Sequence, residues 1–136
     1  MKRTYIDANV LIAAFQGEEP AAQRALQVLD DPGRKLVVSD YLRLEVLPKP
    51  TFHQQREEVE FMQSIIDQAE NVLSSSDLTG KSLEFATKYD MTPIDALHVG
   101  ASVVAAVDEF ITMEKPTKPM CKVREINVKS LHSSKV

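Results

Sequence analysis

Four acidic side chains stand at places in the chain where a carboxylate can do more than solvate a surface. Asp7 closes the first apolar run of "YIDANVLI", and a second begins immediately after Asn9. Glu45 sits between Leu44 and Val46, Asp95 lies in "TPIDALHV", and Glu114 follows Thr112 by two residues in "EFITME". Carboxylates brought together repel one another, and burying even one without a partner is costly. A hard divalent cation relieves the crowding, because Mg2+ takes an octahedral shell of oxygens, keeps several waters and favours carboxylates together with a substrate phosphate. Three histidines and one cysteine, without zinc-ligand spacing, argue against a soft-ligand centre. The chemistry open to three or four such acids with Mg2+ or Mn2+ is phosphodiester hydrolysis: activating water, fixing the phosphate and stabilising the leaving oxygen.

Each acid also has a plainer explanation. Asp7 or Asn9 can cap a helix. Asp95 stands three residues after Thr92, the spacing of a capping box; the same helix terminus keeps a carboxylate ionised and competent for a cation. Glu45 also reads as a solvated helix residue and Glu114 as a loop acid. His98, one helical turn beyond Asp95, reads either as a packing histidine or as a group that orients Asp95 or bonds the substrate. Asp90 and Asp108 read as turn residues, with Asp108 held in reserve for the site. Cys121, the single cysteine, excludes an internal disulfide and reads as a small packing residue.

The elements that must position these residues follow from apolar spacing. Strands are expected at Lys2 to Ile6, at "KLVVS" (35 to 39), at "NVLS" and at "EFIT" (109 to 112), with "VREINV" a candidate fifth. Between them lie helical patterns: Val10 to Phe15, Ala21 to Leu29, a helix capped by Asp40 and finished near Pro48, Phe52 to Gln68, and Asp77 to Tyr89. A last helix opens at Thr92-Pro93, with a cap residue and a proline at the first helical position. Strands separated by long helical patterns define βαβ crossovers, hence a mainly parallel sheet of four or five strands between two helical layers. In such sheets ligands gather at the carboxyl edge where strand order reverses, which is where Asp7, Asp95, Glu114 and Glu45 can converge.

Length and 43% hydrophobic content fit one domain, expected over residues 1–128, with residues 129–136 expected as a flexible tail. No run approaches the ~20 apolar residues of a bilayer span, and no signal-like start is visible, so the chain reads as cytoplasmic. The formal charge of −4 is uneven: from Lys115 onward six basic residues face one acid, while the rest carries ten basic and nineteen acidic side chains. Lys49, Lys115 and Lys118 fall in expected loops beside the acids and are candidates for attracting phosphate.

The segments "YIDANVLI", "LRLEVL" and "TPIDALHVGASVVAAVDEFITME" together resemble a PIN-domain nuclease, in order and over nearly the whole chain. The spacing from Asp95 to Glu114, 114 − 95 = 19, agrees with that family's pattern. The resemblance implies a three-layer α/β/α fold and metal-dependent cleavage of RNA, with Asp7, Glu45 and Asp95 as the acidic site. It gives Asn9 and Thr112 supporting roles at the strand-end turns. It also implies likeness to the VapC group of toxins, which act as homodimers silenced by a small antitoxin. One departure stands out: the fourth acid of the family is usually aspartate, and here it is Glu114.

Two rival functions remain open. A metal-dependent phosphomonoesterase or phospho-acceptor domain would want a second acid two residues after Asp7, where Asn9 stands. A PIN-like scaffold would bind RNA or protein without cutting. Nicotinamide and nucleoside-triphosphate enzymes are disfavoured, since neither G-x-G-x-x-G nor G-x-x-x-x-G-K-[ST] occurs.

Overall fold

In the computed structural model, which describes residues 1–132, five parallel strands form one sheet in the order β3-β2-β1-β4-β5. They are β1 (Lys2–Ile6), β2 (Arg34–Ser39), β3 (Glu70–Val72), β4 (Glu109–Thr112) and β5 (Val128–Ser130). The helices are α1 (Ala8–Gln16), α2 (Ala21–Leu29), α3 (Asp40–Val46), α4 (Pro48–Phe52), α5 (Arg56–Gln68), α6 (Ser76–Tyr89) and α7 (Pro93–Val104). A 3-10 turn, Pro119–Lys122, precedes β5.

Alternation along the strands sorts the core into two layers. Tyr5, Val37 and Phe110 face Leu78, Phe85 and Val99 of α6 and α7. Their neighbours Ile6, Val38 and Ile111 face Leu11, Ala25, Leu42 and Met62 of α1, α2, α3 and α5. Apolar residues on both faces are what a parallel sheet covered on both sides requires. This is the α/β/α sandwich expected from the alternation of strands and helices. The α6–α7 layer is held close by Gly100: a Cβ there would lie 2.4 Å from Ser82 Oγ and 3.3 Å from the Ser82 backbone nitrogen.

Several boundaries differ from the expected ones, each for a local reason. Ser39, not Asp40, occupies the N-cap position of α3. The Asp40 carboxylate instead accepts from Asn71 Nδ2 at 2.9 Å and from the Ser74 backbone N–H at 2.9 Å, tying α3 to the end of β3. Pro48 does not only finish a helix; it opens α4, where a proline at the first position costs nothing. Gln54 has φ 56°, and this left-handed turn separates Phe52 from α5, which starts at Arg56. The fifth strand begins at Val128, not Val123, so residues 129 and 130 belong to the sheet rather than to a tail. The Leu131 N–H also donates to Thr112 O at 2.8 Å. Residues 133–136 of the expected tail lie outside the described residues.

The amino edge of the sheet carries its own charge cluster. Glu109, 1% exposed, accepts from Thr4 Oγ1 at 2.6 Å and Arg34 Nε at 2.9 Å, and Lys129 Nζ lies 3.0 Å from it. Burial alone would raise this carboxyl, but the bonds from Thr4, Arg34 and Lys129 outweigh it and hold it down at about 2. Asp108 is on this edge too, accepting from the Arg3 N–H at 2.8 Å. It therefore belongs to the turn before β4, opposite the edge where Asp7 leaves β1, and drops out as a site candidate.

Candidate active site

Strand order reverses between β1 and β4, since β2 and β3 extend the sheet one way and β4 and β5 the other. The crevice for a ligand opens at the carboxyl ends of those two strands. Asp7 leaves β1 there, and Thr112 and Glu114 leave β4.

Asp7 is the N-cap residue of α1, yet its side chain makes no cap bond. It turns across to β4, where Thr112 Oγ1 donates to Oδ2 at 2.6 Å. The other oxygen, Oδ1, is buried with no hydrogen-bond partner in the described residues. Burial pushes the Asp7 carboxyl up to about 6; the Thr112 bond and His98 pull the other way, and the negative charges of Glu114 and Glu45 add to the rise. Those two acids thus lie within electrostatic reach of Asp7.

Glu114 is fixed from three sides. Asn9 Nδ2 donates to Oε2, the Glu114 backbone N–H donates to Thr112 Oγ1 at 3.1 Å, and Lys118 Nζ lies 3.7 Å from Oε1. Thr112 therefore joins the two acids, accepting from one while donating to the other. Asp95 occupies the third position of α7. Its backbone N–H donates to Thr92 Oγ1 at 3.4 Å, so the cap bond uses the main chain and not the carboxylate. Burial raises the Cys121 thiol, and the negative charges of Glu114, Asp7 and Asp95 add to the rise. Cys121 is a half-buried packing residue of the 3-10 turn.

Glu45 is drawn toward His98, whose Nε2 lies 2.5 Å from Oε1. His98 is 2% exposed and its partner is Glu45 on α3 rather than Asp95 on its own helix. Its Nδ1 lies 2.7 Å from Tyr5 Oη, which is itself 2.8 Å from Ser39 Oγ. Tyr5 and Ser39 had no place in the sequence-based site. The available signal was a tyrosine hydroxyl inside an otherwise buried strand, which must find a polar partner.

Of the three candidate lysines, Lys118 is next to Glu114, and Lys115 bonds to it through the main chain, its carbonyl accepting from the Lys118 N–H at 3.0 Å. Lys49 lies on α4, beyond the end of the helix that carries Glu45. Among the described residues no three carboxylate, imidazole or thiol groups form a ready metal shell. Glu45 is engaged by His98 and Glu114 by Asn9 and Lys118. Even so, the donors are hard oxygens, and the bare, buried Oδ1 of Asp7 is the kind of atom a hard cation satisfies, so the residues present fit Mg2+ or Mn2+.

An open parallel sheet with acids at its switch point defines a class of ligand-binding α/β domains. The profile of the PIN domain matches residues 4–112, and the chain belongs to that family. A search of curated proteins finds no significant match. Solved structures of similar fold include a toxin–antitoxin complex from Klebsiella pneumoniae, at TM-score 0.71 and 19% identity over 90% of this chain and 94% of that one. VapBC2 from Rickettsia felis, bound to a DNA fragment from its promoter, has TM-score 0.70 and 10% identity, covering 94% and 98%. VapC20 of Mycobacterium tuberculosis, a Sarcin-Ricin loop cleaving toxin, has TM-score 0.64 and 10% identity, covering 90% and 98%.

Proposed function

We propose that this PIN domain is a Mg2+- or Mn2+-dependent endoribonuclease and the toxin of a toxin–antitoxin pair. The observation that carries the reading is Asp7: a buried carboxylate at the switch point, with one oxygen bare and two further acids in electrostatic reach. Asp7, Glu45 and Asp95 are the residues that would hold the ion, with Glu114 serving a second ion or its water. When bound, such a cation lowers the pKa of water and offsets phosphate charge. Thr112 holds Asp7 in place, Asn9 holds Glu114, and Lys115 and Lys118 draw the phosphate toward an otherwise acidic edge. Water attacks phosphorus and the 3′ oxygen leaves, giving 5′-phosphate and 3′-hydroxyl ends without a protein nucleophile.

The experiment is incubation with RNA and with single-stranded DNA, plus Mg2+ or Mn2+, with a chelator control. Metal-dependent RNA cutting that disappears in Asp7→Asn and Asp95→Asn, both still folded, is the expected result. Undiminished cutting by either variant would remove it from the site.

The partner in this reading is a small antitoxin that covers the acidic edge, and the active form is a homodimer. A surface suited to the antitoxin flanks Glu45: Leu44 and Phe52, 69% and 81% exposed, border a groove lined by Leu47, Pro48 and Thr51. Sedimentation of the chain alone and with the product of an adjacent short reading frame tests both associations. No helix of the described residues is long and apolar enough to cross a membrane.

A second reading, a PIN-like scaffold that binds RNA or protein without cutting, draws support from the lack of a ready three-ligand shell among the described residues. RNA binding that ignores metal and yields no product would favour it.

A further inference from the structure

Glu45 is partly exposed, 31% of its side chain, but the atoms that restrain it are buried. Its carboxylate can only accept, so the short contact from His98 needs the proton on Nε2. On the far side of the ring Nδ1 lies 2.7 Å from Tyr5 Oη, whose own O–H donates to Ser39 Oγ at 2.8 Å. Tyr5 and Ser39 are 0% exposed and belong to neighbouring strands, β1 and β2, so the far end of the chain of bonds is anchored in the sheet. His98 itself is 2% exposed, with the Tyr5 ring 5.7 Å away, centre to centre.

We propose that His98 is a positioning residue for Glu45: clamped by Tyr5 and Ser39, it holds one carboxylate oxygen and leaves the other facing the acidic edge. The inference rests on the metal-site reading above and deepens it. In metal centres a ligand carboxylate is itself hydrogen-bonded, and removing that outer partner typically costs about 10–100-fold in metal affinity. A bare glutamate on a surface helix samples several rotamers, and fixing one of them before the ion arrives removes that entropy from binding. A plain packing histidine would need neither the Nε2 contact nor a hydroxyl bonded on the far side of its ring.

The test is Mn2+ titration of the full chain by calorimetry, with thermal unfolding of each variant. His98→Phe keeps the ring's bulk and leaves Tyr5 bonded to Ser39, so no buried hydroxyl is orphaned. It is expected to bind Mn2+ about 10–100-fold more weakly. His98→Gln, whose amide can still donate to Glu45, should recover most of that loss. Tyr5→Phe, which frees the ring but keeps the donor, should fall between them. In a Glu45→Gln background His98→Phe should add no further loss, since the histidine acts only through Glu45.

Unchanged or tighter Mn2+ binding by folded His98→Phe would overturn the proposal, the tighter case meaning that His98 holds Glu45 away from the ion. An equal loss in the Glu45→Gln background would also overturn it. If His98→Phe does not fold, Tyr5→Phe decides, and wild-type affinity there sinks the clamp. Absence of Mn2+ uptake by the wild type would instead defeat the metal-site reading itself and the inference with it.

Discussion

Thr112 Oγ1 donates to Asp7 Oδ2 at 2.6 Å and at the same time accepts the Glu114 N–H at 3.1 Å, so one hydroxyl couples the ends of β1 and β4. Thr112→Val keeps the shape and removes both bonds. Losing a bond to a charged, buried group costs about 1–3 kcal/mol. The Asp7 carboxyl should then titrate higher than about 6, and Mn2+ affinity at neutral pH should fall by up to about tenfold, as less of the carboxyl is ionised. Carbon-13 NMR of the Asp7 carboxyl and calorimetry check the two effects, and a titration that does not move would show that Thr112 has no hold on Asp7.

Asp7 also sets a pH dependence for the metal-free protein. Its folded value, about 6, lies above the ordinary 3.8. The folded state therefore keeps its proton over a range where the unfolded chain has lost it. This contribution is fully present below pH ~4 and is lost as pH rises through about 6, on the order of 3 kcal/mol in all. Denaturant melts between pH 4 and 8 should show Asp7→Asn gaining on the wild type as pH rises. Saturating Mn2+ should shrink that gain, because the ion takes over from the proton.

Glu109, at the amino edge, has the opposite sign. Its carboxyl is held at about 2 against an ordinary 4.5, so its contribution is present above pH 4.5 and lost as pH falls toward 2. Glu109→Gln leaves Arg34, Lys129 and Lys2 without their shared anion. Those cations are partly exposed, which limits the cost to about 2–4 kcal/mol. The melting temperature should drop while RNA cleavage per folded molecule stays the same, and a selective loss of cleavage would mean the two edges are coupled.

Lys115 and Lys118 are expected to meet phosphate. Reversing both to glutamate should weaken RNA binding and reduce the dependence of log affinity on log salt by about 0.7 for each phosphate the protein no longer neutralises. An unchanged slope measured by filter binding would place both lysines in solvent rather than on substrate.

How much of this was legible in the sequence depends on the range of the interaction. Asp7 and Glu114 could be placed on one edge because each follows a short apolar strand, and strand ends in a parallel sheet share an edge. The partner of His98 could not be read, because i to i+3 spacing reveals neighbours only within one helix, and Glu45 lies 53 positions away. Asp40 looked like a cap for the same reason: its real partners, Asn71 and Ser74, come from another βα junction. Glu109 was hidden inside "EFIT", where nothing local says that Thr4 and Arg34 will surround it. "VREINV" has a plausible strand rhythm, but the 3-10 turn before it delays pairing until Val128.

Strand β4 gives the molecule a gauge length. Glu109 and Thr112 lie three residues apart, about 10 Å along a strand, and each locks an opposite rim of the sheet. A one-residue slip would invert every side chain between them and release both locks together. Insertions or deletions within β4 should therefore be ruinous, because no change of length there can keep both rims in register.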